Sequence, residues 1–358
     1  MSFSEMGVLW CLQVRSMHFV FLLIGTALVI FLIYFCSMSS NHISPTPLST
    51  LIQIHGNYSE QSSLSRNISS EAPPVTPVQQ PDMTKGVLAE DIYEAGHVDV
   101  GSDFCPNYGK DLQLLIAITS APNHEDARMA IRQTWGHYTN RRDVAITFML
   151  GKTPNETLNK QIEDEEYMYG DIIRGKFIDT YDNLTLKTIS MLEWIDNNCP
   201  KAAFVLKTDD DMSINVSRLL AFISKHSSES KAIYGRLAKK WKPIRNKKSK
   251  YYISPWQYKP AIFPDFVTGP AYLLPARISK ELYLAALNHT YFKLEDVFVT
   301  GIVADSLKIK RIHAPEFLNK RVPLTPCNVQ RTISIHMVKG VEQYDVWKKL
   351  QDSATKCK

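Results

Sequence analysis

Three consecutive carboxylates, Asp209-Asp210-Asp211, follow the apolar run AAFVLK at 202–207 after one threonine. Clustered hard oxygen donors suit Mg2+ or Mn2+, and the oxygens of a nucleotide diphosphate can complete such a shell. A cation held there would offset charge on a departing diphosphate, which is Lewis-acid assistance. The competing account is an acidic turn that caps a helix starting near Asn215. A calcium loop fits less well, because the spacing D-x-[DN]-x-[DN]-G is absent.

A second acidic pair, Glu295-Asp296, stands in FKLEDVFVTG. A carboxylate placed beside a reacting hydroxyl can take its proton as general base, and Asp296 is the residue assigned that work. Either acid could instead cap a helix over Val297–Leu307. In TISIH (332–336) strand alternation puts Ile333 and Ile335 on one face and Ser334 and His336 on the other, so His336 can face a cleft and ligate a metal. Arg128 and Arg132, one helical turn apart, and Lys187 in NLTLKT are the cations available to meet a diphosphate; surface solvation is the rival reading of each.

The elements that must position these residues alternate between short apolar runs and helical stretches. Strands are expected at 112–119, 144–150, 172–178 and 202–207, with helices at 127–135, 157–169 and 183–197 between them. That order implies an α/β domain with a largely parallel sheet, whose strand C-terminal ends are where open α/β sheets bind ligands. The half after Tyr234 is richer in aromatics and prolines; it is expected to complete the domain and supply the acceptor side.

Met17 to Cys36 is a 20-residue stretch with no Lys, Arg, Asp or Glu. At about 1.5 Å per residue it matches a hydrocarbon core of about 30 Å, and the absence of a small-x-small cleavage site favours a retained signal anchor. Arg15 on the N-terminal side, with no Lys or Arg after the span until Arg66, puts residues 1–16 in the cytosol and the rest in a lumen. Residues 37–104, rich in Ser, Pro, Thr and Gln, read as a stem, and 105–358 as the folded domain. Sequons at Asn57, Asn67, Asn155, Asn183, Asn215 and Asn288 agree with a secretory location. There Cys105, Cys199, Cys327 and Cys357 can form disulfides in any of three pairings, and the lack of C-x-x-C spacing disfavours a cysteine zinc site. A net charge of +5 spread over the chain, with one denser patch from Lys239 to Lys250, is poor grounds for a nucleic-acid partner, and none is expected.

Six segments in order, ARMAIRQTWG (127–136), NLTLKT (183–188), FVLKTDDD (204–211), VTGPAYLL (267–274), LEDVFVTG (294–301) and ISIH (333–336), resemble the β-1,3-galactosyltransferase and β-1,3-N-acetylglucosaminyltransferase family, which is related to the Fringe enzymes. The resemblance covers roughly residues 105–345. It implies a GT-A, Rossmann-like fold, a single-pass type II Golgi membrane protein, a UDP-sugar donor, Mn2+, inversion at the anomeric carbon, and a glycan acceptor on glycoprotein or glycolipid. UDP-galactose is the favoured donor, ahead of the N-acetylglucosamine and N-acetylgalactosamine nucleotides. A silent lectin or chaperone that kept the fold, or a calcium-dependent adhesion module, is the reading from another class.

Carried over residue by residue, the resemblance makes Asp211 and His336 the metal ligands and puts Asp209 and Asp210 near the donor's ribose and sugar. Asp296 matches the base, and Arg128, Arg132 and Lys187 match the donor side. Tyr252 and Trp256, with Glu295, fall beside the acceptor. Cysteines common in relatives are replaced by Val267 and by Val303 or a neighbour, as if one disulfide were lost; this favours Cys105–Cys199 and leaves Cys327–Cys357. Tyr251 stands where a tryptophan is common and Pro270 where a small polar residue is, changes that bear on acceptor choice.

Overall fold

The computed structural model describes residues 86–98 and 105–357. The expected membrane span at 17–36, the sequons Asn57 and Asn67 and most of the stem lie outside the described residues. Among the described residues no helix is long and apolar enough to cross a membrane.

The strands are β1 His97–Val98, β2 Leu114–Thr119, β3 Val144–Lys152, β4 Ile172–Ile178, β5 Phe204–Asp209, β6 Ser213–Ile214, β7 Ala232–Ala238, β8 Phe266–Pro275, β9 Lys310–His313 and β10 Ser334–Ile335. The main helices are α1 Glu125–Arg132, α2 Glu156–Tyr169, α3 Leu184–Asn198, α4 Val216–Ile223, α5 Ser279–Leu287 and α6 Gly340–Gln351. Eight strands make one mixed sheet in the order β1-β4-β3-β2-β5-β8-β7-β9, and β10 pairs with β6 separately. The block β4-β3-β2-β5 is parallel, as the alternation of strands and helices predicts. β8 enters antiparallel to both β5 and β7, so the far half departs from the expected parallel arrangement.

β2 (LLIAIT) is buried along its whole length, which is why it reads as a continuous apolar run. Its residues alternate between two cores: Leu115 and Ala117 join one apolar cluster, and Leu114, Ile116 and Ile118 the other. α3 lies under the first face and buries eleven consecutive residues, Thr185 to Ile195. Val267 and Val303 both belong to that same cluster, so apolar packing stands where a disulfide was read as lost. Cys105–Cys199 and Cys327–Cys357 are both bonded.

Residues 86–98, assigned to the stem from composition, fold onto the domain. β1 pairs antiparallel with β4, and the Ala89 N–H reaches His289 O at 3.0 Å. Glu193 on α3 accepts from Tyr93 Oη at 2.6 Å and from the Gly96 N–H at 3.0 Å. A buried carboxylate needs such donors, and the segment's glycine and tyrosine supply them. The helix expected over Val297–Leu307 is a π-helical stretch, Val297–Val303, running into a short turn at Ala304–Ser306.

Candidate active site

The chain runs β2, β3, β4 to one side and then returns to place β5 on the other side of β2. The crevice at that reversal is where open α/β sheets take ligands. Thr119 and Asp209 are register partners at its floor, and Thr119 Oγ1 donates to Asp209 Oδ1 at 2.7 Å.

The three aspartates face different partners. Asp209 also accepts from Lys207 Nζ at 2.6 Å. Asp210 turns toward the loop after β2, accepting from Ser120 Oγ at 2.7 Å and pairing with His124 Nδ1 at 2.9 Å. Asp211 Oδ2 lies 3.3 Å from His336 Nε2. His336 arrives because β10 runs antiparallel to β6, with Ile335 opposite Ser213, and because the Val338 N–H bonds Asp211 O at 2.9 Å. Buried Asn319, with φ 39° in the left-handed region that asparagine tolerates, accepts from Ser334 Oγ at 3.0 Å and donates to Ala271 O at 2.8 Å, tying β10 to β8.

One ligand atom from each of Asp209, Asp211 and His336 lies within 4.8 Å of the others, all three residues being half-buried. Two carboxylates and an imidazole suit a divalent ion such as Mn2+. The expected pair of Asp211 and His336 therefore comes together, and Asp209 joins them. Asp210 is held away from that cluster by the loop.

Asp296 is fixed from two directions. Its Oδ1 accepts from the Val297 N–H at 2.8 Å, so it does cap the stretch that follows, and its Oδ2 accepts from the Gly269 N–H on β8 at 3.0 Å. Burial raises its pKa, opposed by those two N–H groups. Gly269 leaves little spare room: a Cβ there would stand 3.2 Å from Glu295 Oε2, a tight contact, and 3.5 Å from Asp296 Oδ2, an ordinary one. The Gly269 carbonyl accepts from Lys207 Nζ at 2.9 Å. One lysine and the backbone of one glycine thus join Asp209 to Asp296.

Glu295, expected beside the acceptor, is instead buried against β5 and β8 in the interior of the sheet. It accepts from Tyr272 Oη at 2.7 Å and stands 3.8 Å from Lys207 Nζ. Burial pushes its carboxyl up to about 7, with Lys207 opposing. Burial alone would lower the Lys207 ammonium, but Asp209 and Glu295 outweigh it and raise its pKa.

The cations expected to face a diphosphate are committed elsewhere. Arg128 is fully buried, forks onto Glu165 at 2.8 and 2.6 Å, and donates to Ser120 Oγ at 3.0 Å and Ala121 O at 2.7 Å. Arg132 forks onto Asp171 at 2.7 and 2.6 Å, with a further bond to Glu165 at 2.7 Å. Lys187 donates to Ser120 O at 2.6 Å and pairs with Asp179 Oδ1 at 2.8 Å. Arg128 and Lys187 hold the loop that carries Ser120 and His124, and Arg132 shares Glu165 with Arg128. Their part in the donor site is through that loop.

On the acceptor side, Tyr252 is half-buried, its N–H bonded to Ser249 O at 3.0 Å, and Trp256 is 89% exposed. Tyr251 and Tyr181 are the rings nearer the carboxylates, meeting edge to face at 6.4 Å. Burial, then Tyr251, then the charges of Asp296 and Asp209 raise the Tyr181 phenol. Asn155 and Asn288 are exposed, whereas Asn183 and Asn215 are half-buried with Nδ2 donating to Ile178 O at 2.9 Å and Gln330 O at 3.4 Å.

Sequence reasoning missed Thr119, Ser120, His124, Lys207 and Gly269. Lys207 lies inside the quoted FVLKTDDD, and His124 stands immediately before α1, outside the six quoted segments.

Residues 126–315 match the family model described as Galactosyltransferase. The chain is 35% identical over 245 residues to beta-1,3-galactosyltransferase 5 of Homo sapiens, covering 67% of this chain and 79% of that one. It is 33% identical over 243 residues to beta-1,3-galactosyltransferase 1 of Mus musculus, covering 66% and 74%. Among solved structures, the galactosyltransferase LgtC in complex with donor and acceptor sugar analogs overlays 66% of this chain and 96% of its own, at 9% identity and a TM-score of 0.36.

Proposed function

The chain belongs to the galactosyltransferase family, a hexosyltransferase, and on that premise we propose that it is an inverting β-1,3-glycosyltransferase. UDP-galactose is its donor, a glycan on glycoprotein or glycolipid its acceptor, and a GT-A domain on a type II Golgi anchor its framework. The observation that carries the reading is the linkage of Asp296 to Asp209 through the Gly269 backbone and Lys207 at the switch point of the sheet.

In this mechanism Asp296 takes the proton of the acceptor's 3-hydroxyl as the oxygen bonds the anomeric carbon from the face opposite the phosphate. The bond from that carbon to the phosphate oxygen breaks, UDP leaves, and configuration inverts. Burial keeps Asp296 basic, while the Gly269 and Val297 N–H groups hold it in one orientation. Lys207 stands against both Asp209 and Glu295 and offsets their mutual repulsion. Asp209, Asp211 and His336 would hold a divalent ion, which when bound offsets charge on the leaving diphosphate. Asp210, Ser120 and His124 line the donor side.

The test is a panel of UDP-sugars offered to the full-length protein with and without Mn2+, with UDP release and product linkage measured. Metal-dependent release with galactose and a β-1,3 product supports the reading. Preference for an N-acetylhexosamine nucleotide would move the donor assignment, and no release with any donor would remove the proposal.

A further inference from the structure

Residues 230–264 contain ten Lys and Arg and no Asp or Glu. Lys239, Lys240, Lys242, Lys247, Lys248 and Lys250 are all exposed, and among the described residues none has an ion-pair partner. Lysines without carboxylates in reach make a site of positive potential rather than a salt-bridged face.

The loop that carries them is built, not loose. Arg245 donates to Ile253 O at 2.8 Å and Tyr258 O at 2.7 Å, and the Phe263 N–H bonds Trp241 O at 2.8 Å. Pro243, Ile253 and Phe263 are buried beneath it. Three aromatic rings are left open to solvent, Trp241, Tyr251 and Trp256. The loop reaches the cleft: Lys250 Nζ lies 5.0 Å from the Tyr181 ring centre and 4.9 Å from that of Tyr251, the two rings meet edge to face at 6.4 Å, and Tyr181 is close enough to Asp296 and Asp209 for their charges to bear on its phenol.

Open aromatic faces suit sugar rings, and unpaired ammonium groups beside them suit anions. A neutral acceptor gives this rim no use for its charge, and the cleft's own carboxylates would repel an anionic acceptor without it. We propose that the loop at 239–256 selects an acceptor saccharide bearing an anionic group, a carboxylate or a sulfate, seated on the exposed aromatics and held by Lys247, Lys248 and Lys250. This rests on the acceptor cleft assigned above.

The experiment compares three matched oligosaccharides, one neutral, one with a uronate carboxylate and one sulfated. Binding to the full-length protein is measured at low and high salt, with transfer from the donor sugar measured alongside. The anionic pair is expected to bind roughly tenfold more tightly at low salt, with the advantage shrinking as salt rises. Lys247→Glu with Lys248→Glu should remove that advantage and leave binding of the neutral sugar and of UDP unchanged. The better of the two anionic sugars identifies the group. Equal binding of all three, discrimination that survives charge reversal, or attachment to phosphatidylserine vesicles in place of saccharide selectivity would overturn the proposal. Salt-sensitive selectivity without transfer to any of the three would leave the anion site standing and strike the transferase reading instead.

Discussion

Lys207 and Asp209 form an ion pair at 2.6 Å on the floor of the cleft, two residues apart on one strand, and the same ammonium holds the carbonyl of Gly269, the residue whose N–H orients Asp296. Lys207→Met should leave Glu295 buried beside Asp209 with no cation between them. The expected loss is about 3 kcal/mol, the lower end for a broken buried pair because Asp209 is partly solvated. Chemical unfolding of the variant checks it, and Lys207→Arg should recover only part.

Gly269→Ala tests positioning of the base. The added methyl meets Glu295 Oε2 at 3.2 Å, tight enough to displace that carboxylate by a few tenths of an ångström, and crowds Asp296 Oδ2 at 3.5 Å, so the base moves only as its neighbour gives. Turnover should fall by about tenfold, less than the roughly 100-fold of a full 1 Å misplacement, with UDP affinity unchanged. Separate measurement of kcat and the donor KM gives the answer; a rise in KM alone would contradict the positioning role.

Glu165 sits between Arg128 and Arg132; Arg132 keeps Asp171, but Glu165→Gln should leave the buried Arg128 guanidinium without a counter-charge, at a cost of about 3 kcal/mol. Burial would raise the Glu165 carboxyl, but the two arginines outweigh it and hold it below its ordinary value. A depressed carboxylate stabilises the fold fully above its unfolded pKa of about 4.3 and loses that contribution as pH falls through the lower folded value. The stability gap between wild type and variant should therefore close on acidification below about pH 4, as urea titrations at stepped pH would record.

The segment at 86–98 makes a claim about where the domain begins. A chain starting at residue 86 should match the full domain in thermal midpoint. One starting at residue 105 loses the donors to Glu193 and the β1 pairing, and should melt roughly 5 °C lower. Equal midpoints would mean that the segment only rests on the surface.

The parallel half of the fold was legible because buried parallel strands such as LLIAIT are apolar on both faces and the helices between them keep their own period. The antiparallel entry of β8 and the docking of β1 were not, since strand order depends on long-range pairing that no local pattern reports. At the site, Asp211, His336 and Asp296 stood out by type and motif. The place of Asp209 beside Asp211 was not legible, because β5 ends at Asp209 and the turn that follows, not strand alternation, sets where Asp210 and Asp211 point. Arg128 and Arg132 misled because i, i+4 spacing tells which residues share a face and not what that face meets. Their partner, Glu165, was hidden in an acidic helix.

The central claim divides labour between Asp296, which moves a proton, and Asp211, which helps hold a cation for the diphosphate. The direct measurement is UDP binding and sugar transfer, with and without Mn2+, for full-length Asp296→Asn and Asp211→Ala. Asp296→Asn is expected to bind UDP as wild type does while transfer falls by about 1,000-fold, and Asp211→Ala to lose the Mn2+-dependent part of UDP binding. Transfer surviving in Asp296→Asn, or UDP affinity indifferent to Asp211 and to Mn2+, would contradict it.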